Sequence, residues 1–221
     1  MTLMMFLFAL TASAKEHCIK VDYHEEKTNA IEEIAQVFYH STKGMYLFVK
    51  QPVMQYVRMD LDNYTYFYPE NNMALVINNS DAVLASAPIQ LFVHASSEDM
   101  GVQGMGFVLK EHFIQNDTLV KVWELKGQQK DEYLRLEAYH SRKYLLKTVS
   151  LDNENEVMKT VIFNDWLDYN NYSYPMSIKI IESDVKSHYT FSNIEILEDI
   201  PDSVERKLKL PEDCEIHEYK W

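Results

Sequence analysis

A chain of 221 residues with 47% hydrophobic and 25% charged residues is long enough, and apolar enough, for one large all-β or α+β domain. The formal net charge of −13, with basic residues scattered as Lys20, Lys43, Arg58, Arg135 and Arg142, argues against a nucleic-acid partner and against stable electrostatic attachment to an anionic membrane. Only transient apolar contact with lipid is left. The chain has 5 Gly and 6 Pro, too few for long flexible linkers, whereas its 15 Tyr and 10 Phe favour strands, because flat side chains pack well on a pleated, half-buried surface.

The chain opens on an apolar run, Met1 to Leu10, followed by Ala12-Ser13-Ala14 and then Lys15-Glu16. This pattern predicts a signal peptide over residues 1–14, cut at the A-x-A site, and an exported, soluble mature domain over 15–221. No Lys or Arg precedes the run, so the true start of the leader is left open, and an apolar first strand is the alternative. Lys15-Glu16-His17 before Cys18 is not an acylation box, so the chain is not expected to be a lipoprotein itself. The two cysteines, Cys18 and Cys214, form an even pair that in an exported protein reads as one disulfide. Two free thiols are an alternative, and so is a zinc site built with His17 and His217, although the spacing is that of no zinc motif.

After a short alternating segment, Ile19 to Tyr23, Asn29 reads as a helix cap with Glu32 as its capping-box partner. Ile31, Ile34, Ala35 and Phe38 then recur at helical spacing, predicting a helix that ends near His40 to Gly44. Strands follow at Met45–Val49, Met54–Asp60, Tyr64–Tyr68 and Met73–Ile77, separated by polar turns. Several are apolar on both faces, which predicts a sheet covered on both sides or enclosing an apolar space. From Asp81 to Val93 alternation stops. Val83, Leu84, Ala87, Leu91 and Phe92 share a helical face broken at Pro88, and three of the five glycines follow between Met100 and Val108. This insertion reads as a helical lid with a mobile loop. Strands resume at Thr118–Leu125, Glu132–Tyr139, Lys143–Leu151, Val157–Phe163, Pro175–Glu182 and Ser187–Leu197. The expected fold is α+β, mainly β: a half-closed antiparallel β-barrel or curved sheet of about ten strands with an N-terminal helix and a helical lid.

No nucleophile elbow, phosphate loop, dinucleotide fingerprint or HExxH motif is present, and the eight histidines show no i, i+4 pair. Glu25-Glu26, Glu32-Glu33 and Asp131-Glu132 read as solvated faces. Nothing in the residues argues for an enzyme, a metal or a cofactor.

The stretch Lys43-Gly44-Met45-Tyr46-Leu47-Phe48-Val49-Lys50-Gln51-Pro52-Val53-Met54-Gln55-Tyr56-Val57, with Tyr66-Phe67-Tyr68-Pro69 after it, resembles the strand pair and following turn of LolA-like carriers. Trp123-Glu124-Leu125-Lys126 is similar to a later strand of that family without its Pro, and Asn193-Ile194-Glu195 through Pro201 to Leu208-Lys209-Leu210-Pro211 is similar to its C-terminal part. The resemblance implies a periplasmic, monomeric carrier that takes acyl chains of lipoproteins or related lipids into an apolar half-barrel. Its partners would be the lipid cargo, an inner-membrane donor and an outer-membrane acceptor. The alternative is a non-enzymatic sensor or protein-interaction module on the same half-barrel. Tyr46, Phe48, Met54, Tyr56, Leu134 and Leu136 are the expected inward positions, under a lid carrying Val83, Leu84, Leu91 and Phe92. Many such carriers hold the lid with an Arg before the turn Pro. That position is Gln51 here, which lacks the charge and fork of Arg, and Arg58 is a weak substitute.

Overall fold

The computed structural model describes residues 18–60, 63–78, 88–125 and 135–220. Six strands, β1 (Cys18–Lys27), β2 (Glu33–His40), β3 (Gly44–Gln51), β4 (Gln55–Met59), β5 (Asn63–Tyr68) and β6 (Met73–Asn78), form one antiparallel meander. Helix α1 (Pro88–His94) precedes a second meander of seven: β7 (Phe107–Gln115), β8 (Thr118–Leu125), β9 (Arg135–His140), β10 (Leu145–Leu151), β11 (Val157–Tyr169), β12 (Tyr172–Glu182) and β13 (Val185–Leu197). Helix α2 (Asp202–Lys207) and strand β14 (Glu215–Lys220) follow. The meanders become one sheet because β1 pairs antiparallel with β13, from Cys18 opposite Leu197 to Lys27 opposite Ser187. The 14-stranded order runs β14-β6-β5-β4-β3-β2-β1-β13-β12-β11-β10-β9-β8-β7, with β14 added parallel to β6.

Local chemistry fixes the register. The β7–β8 and β11–β12 hairpins turn on Asn116-Asp117 and Asn170-Asn171, all four at φ between 49° and 67°. Short polar side chains tolerate this left-handed backbone, and such two-residue turns match the twist of the strands they join. Gly44, which opens β3, has φ +92°, and a Cβ there would lie 2.1 Å from the carbonyl oxygen of Met59 in the neighbouring strand. No side chain fits that contact.

The sheet is open and curved, and its two faces are covered differently. One apolar cluster joins Val37 of β2, Met45 of β3, Val57 of β4 and Tyr64 of β5 to Ala138 of β9, Val161 and Phe163 of β11 and Ile178 of β12, with Ile89 and Phe92 of α1 in its midst. Strands so far apart in the sheet share a core only if it wraps around α1, so this face is the concave one. The opposite face carries a smaller cluster in which Phe38, Tyr46 and Phe48 pack under Ile200, Val204 and Leu208 from and around α2.

Three expectations are corrected. The predicted N-terminal helix is strand β2, with Asn29 in a left-handed turn at φ 60° rather than capping a helix. Because Ala35 and Val37 are buried on one face and Phe38 and His40 on the other, apolar residues run along the strand without strict alternation and imitate a helical period. The sheet has fourteen strands rather than about ten: β1, β2, β7 and β14 are strands beyond those expected, and β14 joins β6 from the far end of the chain, a pairing with no local signal. Pro88 stands at the first position of α1, where no amide donor is needed, and the part of the expected helical stretch before it, residues 81–87, lies outside the described residues.

The third correction concerns the cysteines, which are both free. Cys18 starts β1 while Cys214 leads into β14, and the order β14-β6-β5-β4-β3-β2-β1 puts six strand spacings between them. At about 4.8 Å each, that is far beyond the Cα separation of about 4.4–6.8 Å that a disulfide spans. The same distance excludes a zinc ion shared by the two thiols. His17 and the proposed leader, residues 1–14, lie outside the described residues. Burial and the nearby Asp199 carboxylate push the Cys18 thiol up to about 11, so it is an inert core group.

Replacing Gly44 with Ala is expected to destabilise the protein by at least about 2 kcal/mol, a fall in Tm of about 4–8 °C for a chain of this size. An unchanged Tm in calorimetry would contradict the close approach of β3 to Met59.

Candidate functional site

On the concave side, between α1, the turns of residues 95–106 and strands β9 to β11, lies a cavity of about 250 Å³. Leu91 contributes from α1, Ala95, Met100, Val102 and Met105 from the turns, Phe107 from β7 and Leu136 from β9. Leu145, Thr148 and Ser150 of β10 and Lys159, Val161 and Phe163 of β11 form the floor. Flexible thioethers beside branched and aromatic groups suit an apolar occupant of variable shape. A wider groove of about 590 Å³ flanks α2, but Arg58, Asp202, Glu205, Arg206 and Lys209 give it charges of both signs, which do not suit an apolar chain.

The cavity exists because α1 is held by its two buried residues, Ile89 and Phe92, and its roof by several hydrogen bonds. Phe92 is fully buried, with its ring stacked 5.1 Å from that of Tyr174 and 4.4 Å from that of Phe191. This leaves Leu91, the neighbour on the next helical face, to form the wall. Beyond the helix, the Ser97 hydroxyl donates to the His94 carbonyl at 2.8 Å, the Gly101 amide donates to the Asp99 carboxylate at 3.1 Å, and the Lys121 ammonium donates to the Glu98 carbonyl at 3.0 Å. Gly101 and Gly106 take φ +76° and +91°, so two of the three glycines serve tight turns of this roof.

Two titratable pairs lie on the concave face further along, at β1, β2 and β13. Tyr23 donates to Glu33, and Tyr189 donates to Glu25 at 2.7 Å. Burial pushes the Glu33 carboxyl up from its ordinary range against the opposing hydrogen bond from Tyr23, and burial with the Glu33 charge pushes the Tyr23 hydroxyl far up, so Tyr23 is the donor of its pair. Two histidines near the cavity are pushed the other way. Burial lowers His94, whose ring stands edge-on to Tyr39, and burial reinforced by the Lys121 charge brings His140 down to about 4.

No protein-family model matches the sequence, and no curated protein does. Solved structures do match in shape. A LolA superfamily protein from Nitrosomonas europaea is 16% identical with a TM-score of 0.57, the alignment covering 86% of this chain and 89% of that one. An outer membrane lipoprotein-sorting protein domain from Vibrio parahaemolyticus is 11% identical with a TM-score of 0.58, covering 86% and 90%. A DUF1329 family protein from Desulfovibrio piger is 10% identical with a TM-score of 0.58, covering 90% and 93%. The fold is LolA-like.

Within this LolA-like fold the residues expected at the site divide. Leu136 and Leu91 line the cavity. Phe92 is close by but belongs to the core. Tyr46, Phe48 and Tyr56 stand on the opposite face, where Phe48 meets Tyr56 edge-on at 5.2 Å and Phe38 at 5.9 Å under α2. The inward assignment of these three is corrected: β3 is apolar on both faces, so its sequence does not reveal which parity faces inward, and Met45 and Leu47 are the concave ones. Met54 is exposed before β4, its sulfur 4.0 Å from the Tyr56 hydroxyl. Gln51 is exposed at the end of β3. Arg58 lies opposite Tyr46 on the α2 face, 3.3 Å from Asp60, so the sheet separates it from α1 and it does not serve as a lid lock. Leu134, Val83 and Leu84 lie outside the described residues. Sequence reasoning passed over Thr148, Ser150, Lys159, Val161 and Phe163, although each occupies an alternate position in a strand it had found.

His140 gives the site a pH signature. Its folded value near 4 lies below the ordinary 6.5 of an unfolded histidine. The stability its neutral form contributes is therefore complete above about pH 6.5 and lost as pH falls toward about 4. Urea midpoints taken at pH 7 and pH 4.5 are expected to drop further in the natural protein than in His140→Gln. An identical drop in both would refute the assignment.

Proposed function

We propose that this chain is an exported, non-enzymatic carrier that binds the acyl chains of lipoproteins or related lipids on the concave face of its LolA-like sheet. The observation that carries this reading is the apolar cavity beneath α1, whose wall and roof are Leu, Met, Val, Ala and Phe. Each methylene moved there from water contributes about 0.8 kcal/mol. At about 250 Å³ the cavity is a little smaller than the 300–1,000 Å³ of most small-molecule sites, so it receives part of one chain as it stands. Larger cargo enters by displacing Leu91 and the turns of residues 95–106, which act as the cover, while Phe92 keeps α1 on the sheet. Among the described residues no helix is long and apolar enough to cross a membrane. The carrier works between donor and acceptor membranes as a monomer.

A nucleophile and base do meet elsewhere, and their setting favours a structural role. The Ser177 hydroxyl lies 3.0 Å from His188 Nε2, and His188 Nδ1 lies 3.8 Å from Glu26. Ser177 is 5% exposed, on the face away from α1. Its backbone sits inside the β11–β12–β13 ladder, so the nearby amides are committed to strand pairing and cannot stabilise an oxyanion.

Filling the cavity tests the carrier reading. Leu91→Trp is expected to weaken binding of an environment-sensitive apolar dye by tenfold or more, the worth of about two methylenes, while Tyr46→Ala lowers Tm but leaves dye binding intact. Dye binding that is absent in the natural protein, or that responds to Tyr46 and not to Leu91, would end it.

A further inference from the structure

The cavity floor has a direction. Along β10 its inward residues run Leu145, Thr148, Ser150, and along β11, read backwards, Phe163, Val161, Lys159. Thr148 stands opposite Val161 and Ser150 opposite Lys159, so the two strands change character together toward the β10–β11 hairpin. The end at Leu145 and Phe163 is apolar. The end at Ser150 and Lys159 offers hydroxyl groups and one cation.

We infer that the site takes a single-chain amphiphile with an anionic head, a long-chain fatty acid, held with its tail toward Leu145 and Phe163 and its carboxylate at Lys159 and Ser150. This deepens the carrier reading and rests on it. The Lys159 side chain lines the cavity and is only 19% exposed, as suits a methylene stem packed on apolar surface with a charged end. Its ion pair with Glu182, on the neighbouring β12, is 3.7 Å long, beyond hydrogen-bond reach, and Glu182 is half exposed. A carboxylate arriving from the cavity side meets this ammonium at closer range than Glu182 does, and the Ser150 hydroxyl supplies a further donor. A neutral head brings only its own desolvation to the same place. Lys159 thus acts as a specificity residue: the tail supplies affinity, and the cation selects among heads.

The test compares palmitate with hexadecanol, which share a chain and differ in charge, by displacement of a bound apolar dye. The natural protein is expected to prefer palmitate by about tenfold or more, the worth of one charge-assisted hydrogen bond. Lys159→Gln removes the preference while hexadecanol binding persists, which also shows that the variant is folded, and Lys159→Arg retains it. Equal affinities in the natural protein, or a preference that survives Lys159→Gln, overturn the inference and leave the carrier reading standing. Failure of both ligands to displace the dye overturns both.

Discussion

The pairing of β1 with β13 is the constraint on which the rest depends. It joins residues 18–27 to 187–197, nearly the whole chain apart, and turns two ordinary meanders into one sheet. Without it one edge of β1 would be unpaired, and Val21, Val37, Ile178 and Phe191 would lose their common core. Pairing at such sequence separation must overcome a large loop-closure entropy before it gains anything, so the local hairpins are expected to form ahead of it. The curved surface that results accepts α1 because Phe92 finds an aromatic partner in each of β12 and β13.

That arrangement explains where the empty space lies. A well-packed interior leaves few voids larger than a water molecule, and here Phe92 fills the space under one face of α1 while the turns after it bridge to β7. What remains is a cavity between the helix, its roof and β9 to β11, on the side facing away from Phe191. The other face of the sheet is closed by α2, with the Lys207 ammonium 5.2 Å over the Phe48 ring. Both faces are thus apolar, and the cavity of apolar walls lies on the concave one.

Much of the fold was legible in the amino-acid sequence because most strands carry a local signal. Tyr64 to Tyr68, Met73 to Ile77 and Thr118 to Leu125 are bounded by Asn, Asp or Pro turns, and they appear nearly where those turns put them. Three things were not legible, each for a physical reason. Burial on both faces removed the alternation of β2 and left a helical-looking period in Ile31, Ile34, Ala35 and Phe38. The same two-sided burial hid the parity of β3, so Tyr46 and Phe48 were assigned to the face that holds Met45 and Leu47. The pairing of distant segments, as in β14 against β6, has no local signature, and this misplaced Cys214 beside Cys18. Leu136 and Leu91, which line the cavity, stand where the local signal is plain, in a clean alternation and in an apolar run after Pro88. Lys159 was passed over because a lysine in an alternating strand reads as solvent-facing until the neighbouring strands are known.

The central claim is that an acyl chain lies on the concave face beneath α1. A fatty acid carrying a photoreactive diazirine near its tail tests it directly: irradiated with the protein, it should label peptides containing Leu91, Leu145 or Phe163. Labelling confined to the α2 face, on peptides containing Tyr46, Phe48 or Val204, or no labelling above that of a denatured control, would contradict the account.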